Sequence, residues 1–211
     1  MKLYIRPIAP NAVKVMVFLA ERGLDIETID VGDLAPEEYR QVSPLLMVPV
    51  LATESGLVLS ESLTICQYLD AVSDGPSLFG EDPESRAIIG QWERRAELML
   101  MNPAIEFGHH TQLFLADRLR QFPDWAKEHV VQSGRMIALM EERLAESRFL
   151  AGETLTMADI TAFLGYFGLI AYGAIQPCAG AAFARWQSEI GRRPSMAPLH
   201  ALAAQFGLNP P

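Results

Sequence analysis

The first third of the chain contains short apolar segments of two kinds. Alternating or β-branched runs predict strands, and longer apolar segments bounded by Pro, Ser or Gly predict helices. Together they predict the order βαβαββα, a small mixed sheet with helices packed on it. The predicted elements are a strand at 2–5, a helix at 13–22 closed by Gly23, a strand at 25–30, a short helix at 36–42, strands at 48–52 and 57–59 joined as a hairpin, and a helix at 61–71.

A different pattern follows a turn-rich linker at 73–77. From Pro83 onward the apolar positions have helical spacing, which predicts two long helices and then three shorter ones. The long helices should cover 84–110 and 124–147. The chain therefore divides into two predicted domains, an α+β domain at 1–76 and an all-α domain at 83–211.

Residues 160–184 carry no charged side chain, a length that would suffice to span a bilayer. Pro177 would break such a span, and the segment between Asp159 and Pro177 is better interpreted as a helix buried at the centre of the helical domain. Thr156 can cap this helix and Asp159 can accept from the backbone N–H of the cap. We expect this capping box to serve folding and not catalysis.

Composition narrows the classes of function. The 211 residues are 50% hydrophobic, and 26 acidic residues against 17 basic ones give a net charge of −9. This charge argues against nucleic-acid binding and against an anionic membrane surface. Cys66 and Cys178 lie far apart, which fits a reducing, cytoplasmic compartment and no disulfide. His109 and His110 have no third ligand at metal spacing, so we expect no metal.

The first candidate for a ligand-binding group is Val48, which precedes Pro49 at the start of a predicted strand. A proline there needs an explanation, because it lacks the N–H that would donate a hydrogen bond to the neighbouring strand. A cis bond, the minority form, would leave the backbone N–H and C=O of Val48 able to pair with an extended ligand.

Two further segments place polar residues at predicted helix starts. Glu61 and Ser62 open the third helix, where unpaired N–H groups favour an anion. Together they suit the zwitterionic head of an amino acid, although a simple helix cap by Ser60 is the alternative. Asn11 follows the turn after the first strand, at the start of the first helix.

These motifs, in this order, resemble the cytosolic-type glutathione S-transferases. The resemblance rests on APNAVKV at 9–15, VPVL at 48–51, LSESLTICQYL at 59–69 and TMAD at 156–159, and it spans essentially the whole chain. It implies a thioredoxin-like first domain followed by an all-helical one, with glutathione as co-substrate. The APN turn is similar to the TPN turn of the bacterial Nu-type enzymes.

The resemblance also implies roles for residues. Val48, before Pro49, would pair with the cysteinyl part of glutathione through its backbone, and Glu61 and Ser62 would hold the γ-glutamyl head. The turn from Ala9 to Asn11 would face the sulfur. Where many family members have a hydroxyl or thiol, Ala9 offers only backbone, so Asn11 becomes the candidate for activating the thiol.

Other expectations follow from the same resemblance. The segment 43–47 lacks the Gly and the basic residue that the family often has, so the group that binds the glycine carboxylate stays unassigned. Family members are usually homodimers. A reductase acting on disulfides or peroxides, and a non-catalytic glutathione- or partner-binding protein, are the alternative functions. The electrophilic substrate is expected to contact Ile8, Asn102, Glu106, Phe107 and Tyr166.

Overall fold

The computed structural model describes residues 1–208, and these form two compact units. The first unit combines residues 1–77 with residues 193–208, and the second contains residues 78–192. The predicted helical domain, 83–211, included the C-terminal segment, which the structure instead groups with the first unit. Glu21 explains the difference, because its carboxylate accepts hydrogen bonds from the side chains of Arg193 and Ser195.

The sheet of the first unit has, among the described residues, four strands in the order β2-β1-β3-β4. β1 pairs with β2 in parallel, while β1 with β3 and β3 with β4 are antiparallel. This mixed sheet confirms the predicted thioredoxin-like arrangement. The strands are β1 (Lys2–Ile5), β2 (Glu27–Asp30), β3 (Val50–Ala52) and β4 (Val58–Ser60).

The helices are numbered in chain order through both units, and α10 belongs to the first unit. The first unit also contains α1 to α3. In the described part of the chain they are α1 (Pro10–Arg22), α2 (Pro36–Arg40), α3 (Ser62–Val72), α4 (Pro83–Ala96), α5 (Asn102–Thr111), α6 (Pro123–His129), α7 (Val131–Glu146), α8 (Met157–Ala171), α9 (Ala181–Gly191) and α10 (Ala197–Gln205).

Helix α1 begins three residues earlier than predicted. Pro10 occupies its first position, where a missing N–H has no consequence because the first N–H groups of a helix have no partner within it. The helix ends as predicted at Gly23, whose φ of 63° is left-handed. The earlier start brings Asn11 into the first turn of the helix.

The predicted helix over 84–110 is continuous, but a π-helical segment, Glu97–Met101, joins α4 to α5. Pro103 gives the physical reason, since a proline inside an α-helix lacks a donor N–H and crowds the preceding turn. The wider turn lets the N–H of Asn102 bond to the carbonyl of Glu97. π-Helical turns of this kind are frequent at functional sites.

The second long helix was wrongly predicted as a single element. It divides at Val130 into α6 and α7, because the N–H of Ser133 bonds to the carbonyl of Val130 in a tight three-residue turn. The hydroxyl of Ser133 donates to the carbonyl of Met99 at 2.7 Å and attaches α7 to the π-helical segment.

Helix α8 is the buried central helix that the charge-free segment predicted. Gly165 permits its close packing, since a Cβ there would lie 2.6 Å from the backbone nitrogen of Met101. The capping box is present, with the N–H and the hydroxyl of Thr156 each 3.0 Å from one carboxylate oxygen of Asp159. Within residues 1–208, no helix is both long and apolar enough to cross a membrane.

Candidate active site

The N-termini of α1 and α3 meet through their side chains. The hydroxyl of Ser62 donates a hydrogen bond to Oδ1 of Asn11 at 3.2 Å, although the two residues are 51 positions apart. Ser62 is only 5% exposed. The fold therefore brings together two residues that the sequence assigned separately to a ligand site.

The start of α1 offers donors at this point. Ala9 is the N-cap, and its side chain makes no capping hydrogen bond. The carbonyl of Ala9 accepts from the N–H groups of Ala12 and Val13 at 2.9 and 3.0 Å. Asn11 occupies the second helical position, where the backbone N–H has no intrahelical partner. Its N–H and its amide group are thus both available to an anion.

The start of α3 has an unusual backbone. Glu61 is the N-cap and has a φ of 69°, a left-handed conformation that non-glycine residues adopt at a cost of about 1–2 kcal/mol. Its side chain makes no capping bond, and Ser60 lies at the end of β4. The alternative of a simple cap by Ser60 is therefore not what the structure contains. Such conformations concentrate at functional sites.

The peptide bond between Val48 and Pro49 is cis. Val48 precedes β3, and within the described residues no protein group forms a hydrogen bond with its backbone N–H or C=O. The preceding carbonyl, that of Met47, accepts from the hydroxyls of Tyr39 at 2.6 Å and Ser43 at 3.1 Å. These two hydrogen bonds hold the peptide between Met47 and Val48 in place, next to the N–H and C=O of Val48, which have no partner within the described residues.

Tyr39 and Ser43 are positioning residues that the sequence analysis missed. Tyr39 is 3% exposed, and burial raises the pKa of its phenol despite the hydrogen bond with Ser43 that lowers it. The detectable signal was an aromatic residue in an otherwise polar segment, APEEYRQVS at 35–43. The periodicity of a five-residue helix is too short to show which side of it is buried.

The segment between Ser43 and Val48 exposes apolar side chains. Leu45 is 82% exposed and Met47 is 64% exposed, while Leu46 has a left-handed φ of 54°. Apolar surface of this kind is typical of a contact with another molecule.

In the helical unit, Asn102, Glu106 and His110 share one face of α5 because they are spaced four residues apart. Nε2 of His110 lies 3.5 Å from Oε2 of Glu106. Beside His110 is a cavity of about 330 Å³ that is largely open to solvent and that Phe122 and Trp125 also line. These two aromatic residues were not among the predicted contacts; Phe122 directly precedes α6, and Trp125 lies within it.

Two predicted electrophile contacts are core residues. Tyr166 is 1% exposed, its ring packs against Phe183 at 4.6 Å, and its hydroxyl accepts from the N–H of Cys178 at 2.7 Å. Phe107 is also buried, at 9% exposure. This burial argues against a contact of either residue with the electrophile, because helical spacing predicted the apolar character of these positions but not the direction in which they face. Ile8, in the first unit, is 43% exposed.

Residues 1–208 contain no group of three or more His, Cys, Asp or Glu side chains that could hold a metal ion. Cys66 and Cys178 form no disulfide within the described residues, and Cys66 is buried. At the starts of α1 and α3, Asn11 supplies an amide, Ser62 a hydroxyl and Glu61 a carboxylate, beside backbone N–H donors. This combination of donors with one carboxylate suits an organic zwitterion.

Comparison with known proteins agrees with this geometry. Residues 8–72 match the family model for the glutathione S-transferase N-terminal domain. Glutathione S-transferase F12 of Arabidopsis thaliana is 33% identical over 96% of this chain and 98% of its own length. The chain belongs to the glutathione S-transferase family.

Other members of the glutathione S-transferase family match over similar lengths. Glutathione S-transferase 2 of Saccharomyces cerevisiae is 26% identical over 94% of this chain and 89% of its own. The crystal structure of a glutathione S-transferase domain-containing protein from Marinobacter aquaeolei superposes with a TM-score of 0.85 at 33% identity, covering 93% of this chain and all of that one. The fold and the matched region therefore include both the α1 and the α3 starts.

Proposed function

We propose that this glutathione S-transferase binds glutathione at the starts of α1 and α3, ionises its thiol beside Asn11, and joins glutathione through its sulfur to an electrophilic small molecule. The observation that carries the proposal is the hydrogen bond between Ser62 and Asn11. It joins a site suited to an amino-acid head to a group suited to a thiolate. Residues 1–76 would form the glutathione-binding domain, and the helical residues would supply most contacts to the electrophile.

Two parts of glutathione, the γ-glutamyl head and the cysteinyl unit, have matching groups. The unpaired N–H groups in the first turn of α3 suit the γ-glutamyl carboxylate, and the Glu61 carboxylate suits the neighbouring ammonium. The backbone N–H and C=O of Val48 suit the cysteinyl peptide unit, which would add to the chain as a short strand. Tyr39 and Ser43 support this pairing by holding the carbonyl of Met47.

Glutathione binding needs well-oriented hydrogen-bond donors, because the net negative charge of the first 76 residues opposes the binding of an anion. Residues 1–76 contain 5 Lys and Arg against 11 Asp and Glu, a net charge of −6, and glutathione is itself an anion. Local hydrogen bonds from helix starts act over one turn, whereas the field of exposed charges is screened beyond about 8–10 Å at physiological salt. Local geometry therefore outweighs the unfavourable net charge.

The chemistry requires the thiolate. A free thiol has a pKa of about 8.5, so only a few per cent is ionised at pH 7. Lowering that pKa by about two units requires about 2.7 kcal/mol of preferential binding to the anion. Hydrogen bonds to charged groups contribute about 1.5–3 kcal/mol each, so the amide and the backbone N–H of Asn11 are sufficient. The thiol proton passes to solvent, and the thiolate forms the S–C bond. In a substitution the leaving group departs with its bonding electron pair, and in an addition to an activated double bond the resulting carbanion takes a proton from water.

We assign the electrophile to the face of α5 that carries Asn102 and Glu106, next to the cavity at His110, Phe122 and Trp125. Aromatic walls favour planar aromatic compounds, since ring pairs gain about 0.5–1.5 kcal/mol beyond burial of area. A panel containing a chloronitroarene, an enone, a hydroperoxide and a small disulfide tests this assignment. Highest activity with the chloronitroarene is expected. Dominant activity with the disulfide or the peroxide would instead identify a reductase.

The decisive experiment measures the pKa of bound glutathione from its thiolate absorbance as a function of pH. In the wild type we expect a pKa below that of free glutathione. Asn11→Ala should raise it by about one unit, the loss of one charge-assisted hydrogen bond, and reduce the thiolate fraction and the turnover at pH 7 about threefold. The matched control is Asn102→Ala, which should leave this pKa unchanged and affect only the KM for the electrophile.

The opposite outcomes are equally clear. Glutathione bound with an unshifted thiol pKa would contradict activation and support the non-catalytic binding protein. An unchanged pKa in Asn11→Ala would show that another group stabilises the anion.

We also propose a cytoplasmic homodimer that uses the exposed apolar residues Leu45 and Met47. Cys66 and Cys178 form no disulfide in the part of the chain that the structure describes, which fits a reducing compartment. Light scattering after size-exclusion chromatography should give twice the chain mass of 23.3 kDa. Leu45→Asp should shift the population toward monomer, and a wild-type monomer at micromolar concentration would contradict the dimer.

A further inference from the structure

We propose that the buried hydroxyls of Tyr39 and Ser43 determine how strongly one backbone N–H, that of Val48, binds the cysteinyl carbonyl of glutathione. They act from the other end of the same peptide unit, where they bind the carbonyl of Met47. The inference rests on the proposed function, in which the backbone of Val48 pairs with the cysteinyl unit. It adds a specificity that the two hydroxyls confer, a preference for thiols that carry a carbonyl at this place.

The two hydroxyls meet at one oxygen. Tyr39 donates to the carbonyl of Met47 at 2.6 Å and Ser43 donates to it at 3.1 Å. A carbonyl oxygen has two lone pairs, so both of its acceptor positions are used. The side chains of Tyr39 and Ser43 belong to residues that are 3% and 5% exposed, and water therefore competes weakly for these contacts. The peptide cannot turn about the chain axis without breaking at least one of the two bonds.

The peptide plane carries this constraint to the side that faces a ligand. The C=O of Met47 and the N–H of Val48 belong to one planar trans peptide, in which the two groups point in opposite directions. Fixing the direction of the oxygen therefore fixes the direction of the N–H. Within residues 1–208 this N–H has no hydrogen-bond partner, so it is an oriented donor that a ligand can use.

The same two hydrogen bonds strengthen the donor. A peptide that accepts hydrogen bonds at its oxygen is polarised, and its N–H becomes a better donor. Burial raises the pKa of Tyr39, against the opposing effect of its hydrogen bond with Ser43. The phenol therefore keeps its proton, and remains a donor, over the pH range in which the bound thiol is titrated.

Tyr39 is itself attached to the sheet. Its ring lies 5.8 Å from the ring of Tyr4 in β1. Its backbone carbonyl accepts from the N–H groups of Val42 and Ser43 at 2.9 and 2.8 Å, which keeps the two hydroxyls side by side. The N–H of Leu46 then bonds to the carbonyl of Ser43 at 2.9 Å and closes the turn that leads to the anchored peptide. The donor is thus held by buried groups although the neighbouring apolar side chains are exposed.

Two ligands test whether the hydroxyls act on one atom of the ligand. S-methylglutathione has the backbone groups of glutathione but no ionisable thiol, so its Kd reports on binding alone. In the second ligand a trans-alkene replaces the peptide bond between the cysteinyl and glycyl units of S-methylglutathione. This alkene ligand keeps the extended shape but has no carbonyl oxygen at this place. The wild type should bind it about tenfold more weakly, because the N–H of Val48 loses its acceptor.

Tyr39→Phe and Ser43→Ala should each raise the Kd of S-methylglutathione about threefold, and the double variant should raise it about tenfold. The Kd of the alkene ligand should stay within about twofold of the wild-type value in all three variants. The thiol pKa of bound glutathione should also be unchanged, because Asn11 is intact. The matched control is Tyr68→Phe, which removes a phenol hydroxyl from α3 of the same unit and should change none of these quantities.

The inference is overturned if the double variant weakens both ligands equally, since the hydroxyls would then only stabilise the segment around Met47. It is also overturned if the double variant binds S-methylglutathione as tightly as the wild type, or if the wild type binds both ligands with the same Kd. In each case the wild type still lowers the pKa of bound glutathione, and thiol activation beside Asn11 stands. A wild type that binds neither ligand, or that binds glutathione with an unshifted thiol pKa, would overturn the proposed function itself.

Discussion

The strongest stability prediction concerns Asp159, which is fully buried at the start of α8. Within the described residues its carboxylate accepts four hydrogen bonds. One oxygen accepts from the N–H of Leu150 and from the indole of Trp186, each at 2.9 Å. The other accepts from the N–H and the hydroxyl of Thr156, each at 3.0 Å. A single side chain thus connects the loop at Leu150, the start of α8 and helix α9.

Asp159→Ala removes the acceptor for all four donors. The Thr156 hydroxyl can rotate to another acceptor, but three N–H groups remain buried without a partner, at about 1–3 kcal/mol each. The sum, about 3–9 kcal/mol, is comparable with the whole stability of a typical domain, about 5–15 kcal/mol. Burial raises the pKa of Asp159 although these donors lower it, so the charged group also carries a desolvation cost whose removal offsets part of the loss.

Variants that remove different numbers of these hydrogen bonds test the estimate. In Asp159→Asn the amide NH₂ can face Thr156, whose hydroxyl then accepts, and only the Thr156 N–H loses its partner, at about 1–3 kcal/mol. Thr156→Ala removes one capping hydroxyl, at about 1 kcal/mol. Urea unfolding followed by circular dichroism should rank the losses as Asp159→Ala, then Asp159→Asn, then Thr156→Ala. A loss below about 1 kcal/mol for Asp159→Ala would refute the reasoning, because stranded buried donors cannot cost so little.

Two other predictions concern the first unit. Glu61→Gly should stabilise the protein by about 1 kcal/mol, because glycine adopts the left-handed φ of 69° without strain. The same change should weaken the binding of S-methylglutathione, a ligand with the head groups of glutathione but no ionisable thiol, because the Glu61 carboxylate is lost. A loss of stability together with the loss of affinity would show that the backbone at Glu61 is not strained. Burial acts to raise the pKa of Glu21, but hydrogen bonds from Arg193 and Ser195 outweigh it and hold the pKa below its usual range. This contribution to stability is present above the unfolded-state pKa and is lost as the pH falls through the folded-state pKa. The destabilisation by Glu21→Gln should therefore shrink between pH 5 and pH 3, roughly the range around the reference glutamate pKa, while Glu27→Gln, in an exposed pair with Lys2, should have little effect at any pH.

Rules for helix ends, turns and hydrophobic periodicity correctly predicted the structural elements that depend on residues close together in the sequence. The αL end of α1 at Gly23, the hairpin of β3 and β4, and the capping box at Thr156 and Asp159 each involve groups a few positions apart. Helix starts were placed well enough to assign Asn11 and Ser62 to ligand binding. The same rules missed two changes within the long helices. The π-helical segment before Pro103 and the division between α6 and α7 at Val130 depend on local turns that hydrophobic periodicity does not detect.

The sequence by itself determined the family, the mixed sheet followed by helices, and the two helix starts that carry the proposed site. Only the tertiary structure decided that Ser62 donates to Asn11, that Tyr166 faces the core, and that residues 193–208 join the first unit through Glu21. The physical reason is the range of the interactions. Capping and periodicity act within a turn or two of chain, whereas side-chain hydrogen bonds and burial depend on segments that meet only after folding.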